Sequence, residues 1–274
     1  MLSEIADVVS CVSFKTVALA LRRPAQLRRY VSYCLKIYDE FADKGLPARS
    51  PVTPEQEATI TLPAYHSGGG MSFAELMILA RTTKTRCPKT IFEMGTYNGL
   101  TTAVFILNSA PDAVVITLDL PPIPELPSKH LSSDKDLISN RRLGSVPSAL
   151  GLTRYTQLLS DSMTFDASPY SDSVDLGLVD AAHDRLHVKN DTEKMARMIK
   201  EDGLVFWHDY GGRGALRPLA SYLEDLAAEC PIYRVSETSL AWASARGLKA
   251  ALAKRTGLAF PHSAPFTLAN HKSA

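Results

Sequence analysis

Two short stretches put acids and histidines at the ends of apolar runs. Val179-Asp180-Ala181-Ala182-His183-Asp184 closes one run and Phe206-Trp207-His208-Asp209-Tyr210 closes another. If the two runs are neighbouring parallel strands, about 4.8 Å apart, their ends meet over one edge of the sheet. Asp180, His183, His208 and Asp209 then converge where open α/β sheets bind ligands. Two carboxylates there can hold a hard divalent cation such as magnesium or manganese. A nearby imidazole can take a hydroxyl proton near neutral pH. The competing reading makes both histidines turn or capping residues with satisfied hydrogen bonds.

A second group of residues has the character of a binding site. Ile91-Phe92-Glu93-Met94-Gly95-Thr96-Tyr97-Asn98-Gly99-Leu100 runs from a strand end through two glycines four apart into a helix start. Glycine permits a sharp turn and lets a ligand approach main-chain N–H groups. A dinucleotide site would want GxGxxG to seat a pyrophosphate on the helix end. The pattern here is ExGxxxG with no P-loop lysine, which suits a ligand bearing a ribose and an amino-acid end. Asp119 ends the next strand and is placed either to accept ribose hydroxyls or to cap the turn before Pro121-Pro122. Ser160-Asp161-Ser162 follows a third strand and reads as an adenine contact or an Asx-type turn.

These residues need a scaffold, and the hydrophobic pattern describes one. Strands are predicted at 90–93, 114–119, 155–159, 174–179 and 204–207, with helices at 73–83, 100–109 and 188–200. Strand and helix in alternation imply a parallel sheet covered on both faces. The last β-like runs, 233–236 and 239–243, are too close for a crossover helix and predict an antiparallel hairpin at the edge. Ser72 is placed to cap the helix from Phe73. The connection from Pro121 to Thr153 spans 33 residues with five prolines, a length usually reserved for function or disorder, with room for one helix near 134–143. Residues 1–63 read as a helical N-terminal extension and a proline-rich linker, and residues 64–274 as the chemistry-bearing domain.

Composition sets the outer bounds. Across 274 residues, 30 Lys and Arg balance 29 Asp and Glu, so bulk charge gives no reason to expect a nucleic-acid partner. No apolar run approaches the roughly 18 residues of a membrane span; the best candidate, 8–21, is interrupted by Lys15 and followed by Arg22-Arg23. Four widely spaced cysteines without a CxxC pair suggest reduced thiols and a cytoplasmic setting. The N-terminal helices are the expected surface for self-association.

From about Gly68 to Ala243 the sequence resembles the class I S-adenosylmethionine-dependent methyltransferases, and most of all the metal-aided small-molecule O-methyltransferases, including those acting on macrolide sugars. The resemblance rests on the turn Glu93–Gly99, on Asp119 and Asp161, on Asp180-Ala181-Ala182-His183 and on His208-Asp209. It implies a Rossmann-like fold with a seven-stranded, mostly parallel sheet. Glu93, Gly95, Thr96, Tyr97 and Gly99 would form the S-adenosyl-L-methionine turn, Asp119 would bind ribose, Asp161 or Ser162 would meet adenine, and Asp180 would border the donor. It further implies His183 as general base, Asp180, His208 and Asp209 as ligands of magnesium or manganese, and a small hydroxylated molecule as acceptor. One position departs from the pattern: relatives often carry an acid where this chain has His208. That departure also motivates the alternative of a catalytically silent binding or assembly domain.

Overall fold

The computed structural model describes residues 45–53, 55–64, 70–121, 141–211 and 217–256. The predicted N-terminal helices, the predicted helix at 134–143 except for its last three residues, and Cys11 and Cys34 lie outside them. Arg141 and Arg142 are not helical. By its internal contacts the chain divides into Met1–Gly45 and Leu46–Ala274, and the second unit contains everything described below.

Seven strands form one sheet: β1 (Thr90–Met94), β2 (Val114–Asp119), β3 (Thr156–Leu159), β4 (Val174–Val179), β5 (Ile199–Trp207), β6 (Ile232–Arg234) and β7 (Ala241–Ser244), in the order β3-β2-β1-β4-β5-β7-β6. β1 to β5 are mutually parallel and β7 runs antiparallel to both β5 and β6. The helices are α1 (Phe73–Arg86), α2 (Leu100–Asn108), α3 (Ser145–Ala149), α4 (Arg185–Met198), α5 (Arg217–Ala227) and α6 (Ala245–Thr256). This is the Rossmann-like methyltransferase topology expected above. The predicted strands all occur, but β5 begins five residues early, because polar Lys200 to Asp202 extends it beyond the apolar run. α4 starts at Arg185 rather than 188, because Asp184 caps it by accepting from the N–H groups of Leu186 and His187. α5 and α6 had no counterpart in the sequence reading.

Each face of the sheet has its own apolar layer, as side-chain alternation along a strand requires. Phe92, Met94, Val179 and Trp207 belong to one layer, and Ile91, Leu176, Leu178 and Phe206 to the other. Trp207 is fully buried and its indole N–H donates to Thr192 Oγ1 on α4 at 2.9 Å, so its one polar atom is satisfied. Residues 46–53 and 55–62, read as linker from the sequence, belong to the second unit and pack within it. Leu46 and Val52 are buried, Arg234 N–H donates to the Pro47 carbonyl, and Thr61 exchanges two hydrogen bonds with the Asn108 side chain.

The strand register builds the site. Met94 pairs with Leu118 and with Val179, and Val179 pairs with Trp207, so these four residues, at or one short of the ends of β1, β2, β4 and β5, form one row. The next residues, Gly95, Asp119, Asp180 and His208, form the rim above it. Backbone bonds continue the sheet into that rim, from Gly95 N–H to the Leu118 carbonyl, from Asp180 N–H to Met94 and from His208 N–H to Val179. Gly95 has φ +101, and a Cβ built on it would lie 2.0 Å from the Asp180 carbonyl oxygen. No side chain is available to yield there, so the residue is required by the approach of β1 to β4. Gly95→Ala is expected to cost at least about 2 kcal/mol of stability in urea unfolding, whereas Gly70→Ala, which meets nothing within 4 Å, should stay within about 0.5. Equal midpoints for the two variants would contradict this account of the rim.

Candidate active site

A cleft opens over the rim, lined on one side by Gly95 to Asn98, Asp119, Arg141 and Ser160 to Ser162 and on the other by Asp180 to His183, His187, His208 and Asp209. Asp119 organises the first side. Its Oδ2 accepts from the N–H groups of Thr96 (3.1 Å) and Tyr97 (2.8 Å), and its Oδ1 pairs with Arg141 Nη1 at 3.1 Å and accepts from Leu120 N–H. Burial raises the pKa of its carboxyl, with Arg141 and the three backbone bonds opposing. Tyr97 holds φ +50 within this turn, a conformation the two amide bonds to Asp119 help to maintain. Arg141 is almost wholly buried against Asp119.

Two of the residues predicted for the turn do not reach the cleft. Gly99, at φ +80, is the N-cap of α2 and faces Pro147, whose Cδ would lie 2.7 Å from an added Cβ. Glu93 lies beneath the turn, fully buried, and accepts from the Thr102 hydroxyl of α2. Its burial pushes its pKa up to about 8, with the hydrogen bonds from Thr102 and Thr117 opposing. It ties the glycine turn to the sheet and contributes no surface for a ligand. Asp161 lines the cleft and also makes the Asx turn, accepting from Met163 N–H at 2.8 Å. Ser162 is fixed from below, its carbonyl accepting from Asn190 and Lys194 of α4.

The second side is a cluster of charges. His208 Nδ1 lies 3.0 Å from Asp180 Oδ1 and 3.4 Å from Asp209 Oδ2, and its Nε2 lies 3.3 Å from Glu75 Oε2. A neutral imidazole offers one N–H and one lone pair, so a ring with carboxylates at both nitrogens is the protonated form. Burial disfavours that charge, but the fields of Asp180 and Asp209 outweigh it and hold the pKa of His208 well above 6.5. Burial likewise opposes ionisation of Glu75 and Asp209, yet both lie below the usual carboxylate range, Glu75 through His208 and Ser239, Asp209 through His208 and His183. Asp209 Oδ2 also meets His183 Nε2 at 2.9 Å. Asp209 adopts φ +63, an uncommon conformation for a non-glycine residue that aims its carboxylate back between the two imidazoles.

Glu75 was missed from the sequence. It is the third residue of α1, and with Ser72 it forms a capping box: Ser72 Oγ accepts from Glu75 N–H, and Glu75 Oε2 accepts from Ser72 N–H at 2.6 Å. The Ser-x-x-Glu spacing was the available signal. Its other oxygen accepts from the N–H and hydroxyl of Ser239, just before β7, at 2.7 and 2.6 Å. His187 also reaches the cleft, its Nδ1 on Asp184 Oδ2. Tyr210, next after Asp209, turns into the core, where its hydroxyl accepts from Leu46 N–H.

The four strand-end residues of the sequence reading do come together. Asp180, His183 and Asp209 each bring one donor atom within 4.8 Å of the others, a donor set of the right kind for a divalent ion. His208 stands outside that set, since its two nitrogens face carboxylates. Asp180 Oδ1 and Asp209 Oδ2 lie 3.0 and 3.4 Å from its Nδ1, so one oxygen of each carboxylate is turned toward that ring.

Residues 92–210 match a family described as "Methyltransferase domain". The matched stretch runs from β1 to just past the end of β5, so it holds the glycine turn, Asp119 and both strand ends of the cleft. Three solved structures resemble the chain. An S-adenosylhomocysteine-bound methyltransferase of Podospora anserina shares 15% identity over 62% of this chain and 77% of its own, with a TM-score of 0.47. A methyltransferase from Geobacter sulfurreducens shares 15% over 63% and 78%, with a TM-score of 0.45. The O-methyltransferase TomG of Streptomyces achromogenes, involved in tomaymycin synthesis and solved with S-adenosylmethionine, shares 12% over 64% and 81%, with a TM-score of 0.43. No curated protein sequence matches the chain. Among the described residues no helix is long and apolar enough to cross a membrane.

Glu93 makes stability depend on pH. Between its ordinary value of 4.5 and about 8 the folded chain keeps a proton on Glu93 that the unfolded chain has released, so stability falls as pH rises through that window. The slope is at most about 1.4 kcal/mol per pH unit. Urea melts of Glu93→Gln are expected to lose this component, and a pH slope identical to wild type would remove Glu93 as its source.

Proposed function

We propose that the chain is an S-adenosylmethionine-dependent O-methyltransferase acting on a hydroxyl of a small molecule, in the class of sugars or glycosylated natural products. The observation that carries this reading is one cleft with two unlike walls: a glycine turn tied to Asp119, and facing it a histidine paired with an aspartate. The first wall fits the donor's chemistry. Gly95 to Asn98 present backbone to its amino-acid end, Asp119 is a carboxylate for its ribose, and Asp161 with Ser162 lies where the adenine edge would be read.

When bound, S-adenosylmethionine supplies a methyl group already activated on a sulfonium, so the protein's work is alignment and removal of one proton. His183 takes that proton from the acceptor hydroxyl as its oxygen becomes nucleophilic. Asp209, 2.9 Å from His183 Nε2, orients the ring and stabilises the imidazolium that forms. Asp180, between the two walls, holds the N–H of His208 and borders both ligands. A resident magnesium or manganese ion has no part in this reading. Four cysteines without disulfide spacing support a cytoplasmic setting.

Two substitutions separate the walls. Asp119→Asn is expected to weaken S-adenosylmethionine binding at least about tenfold by calorimetry. His183→Ala should leave donor affinity within about threefold while lowering methyl transfer by about 10²- to 10⁴-fold. Absence of saturable donor binding by the wild-type chain would end the reading, and unimpaired turnover of His183→Ala would remove the base.

A further inference from the structure

We propose that the guanidinium of Arg141 occupies the hydroxyl-binding position of the ribose subsite, so that a donor binds by exchanging one ribose hydroxyl for it at Asp119. The inference deepens the O-methyltransferase reading and rests on its assignment of Asp119 to the ribose.

Asp119 has no acceptor position to spare. An ionised carboxylate offers about four lone-pair sites. At Oδ2 they are taken by the N–H groups of Thr96 and Tyr97, and at Oδ1 by Leu120 N–H and Arg141 Nη1. Three of these partners are main-chain groups of the glycine turn and the end of β2, and they cannot leave without unmaking those elements. The fourth is a side chain. Arg141 lines the same cleft, its side chain 6% exposed, and its Nη2 donates to the Leu120 carbonyl beside Asp119. The chain that follows is tied to the glycine turn, Gly144 N–H donating to the Tyr97 carbonyl and Val146 N–H to that of Asn98. The side chain can therefore swing off Asp119 while residues 144–146 stay in place. Guanidinium N–H and ribose O–H are both donors, so the exchange keeps Oδ1 satisfied but gives up its ion pair. Loss of a buried partner charge opposes binding, and Arg141 thereby sets the affinity for ligands that carry ribose hydroxyls.

The probes are S-adenosylhomocysteine and its analogue lacking both ribose hydroxyls, each titrated calorimetrically into the full-length chain. Arg141→Met leaves an acceptor site on a carboxylate open to the hydroxyl and is expected to bind S-adenosylhomocysteine at least about tenfold tighter than wild type. The analogue has no hydroxyl to exchange, so its affinity should agree between the two proteins within about twofold. Unchanged or weaker binding of S-adenosylhomocysteine by the variant would overturn the proposal, and so would equal tightening of both ligands. Should Arg141→Met not fold, Arg141→Lys keeps a charge beside Asp119 without the two-pronged grip, and a gain of at least about threefold confined to the hydroxyl-bearing ligand is expected. No gain there overturns the proposal equally. A wild-type chain that does not bind S-adenosylhomocysteine would end the donor assignment and this proposal with it, whereas wild-type binding with an indifferent Arg141 ends this proposal alone.

Discussion

A buried imidazolium between three carboxylates is the interaction on which the rest of this site depends. Glu75 comes from the first turn of α1, Asp180 from the end of β4, His208 and Asp209 from the end of β5, and Ser239 from the chain entering β7. None of these elements is adjacent in sequence to all the others, and the charge on His208 is what they share. Removing one partner of such a cluster leaves a buried charge uncompensated, which is costly, so the cluster orders its neighbours as much as it stabilises them. Asp209 keeps a left-handed backbone because its carboxylate has two imidazoles to meet there.

The opposite wall is built differently. It depends on backbone geometry: the parallel register places Gly95 directly against the Asp180 carbonyl, and Asp119 gathers the turn's N–H groups. Glu93 sits below, largely protonated near neutral pH, and spends its hydrogen bonds on Thr102 and Thr117 rather than on a ligand. One wall is therefore a rigid peptide cradle and the other an electrostatic device. The two walls can be altered separately, because Asp180 is the main element common to both.

Much of this was legible in the sequence, and what was not has physical reasons. Fully buried parallel strands read as apolar runs, so β1, β2, β4 and the end of β5 were visible, and strand-end acids followed from them. The amphipathic spacing of Leu219, Leu223 and Leu226 in α5 was present but was not read as a helix. At the site, Asp180, His183, His208 and Asp209 were found because sheet neighbours share an edge. Their charge states were not, because these depend on Glu75, 133 residues from His208 along the chain. The Ser72-Glu75 spacing announces a helix cap and says nothing about where the second carboxylate oxygen points. Glu93 and Gly99 were assigned to the ligand because a glycine turn does not reveal which of its residues face outward. Gly99 answers to Pro147, 48 residues further along the chain, a contact no local pattern encodes.

The central claim is that the ring of His208 carries a permanent positive charge. It is tested most directly by nitrogen-15 correlation spectra of histidine-labelled protein, with the His208 ring assigned by its loss in His208→Gln. The account predicts that both ring nitrogens are protonated at neutral pH. A His208 ring in a neutral tautomer at pH 7, with one nitrogen bearing no proton, would contradict it.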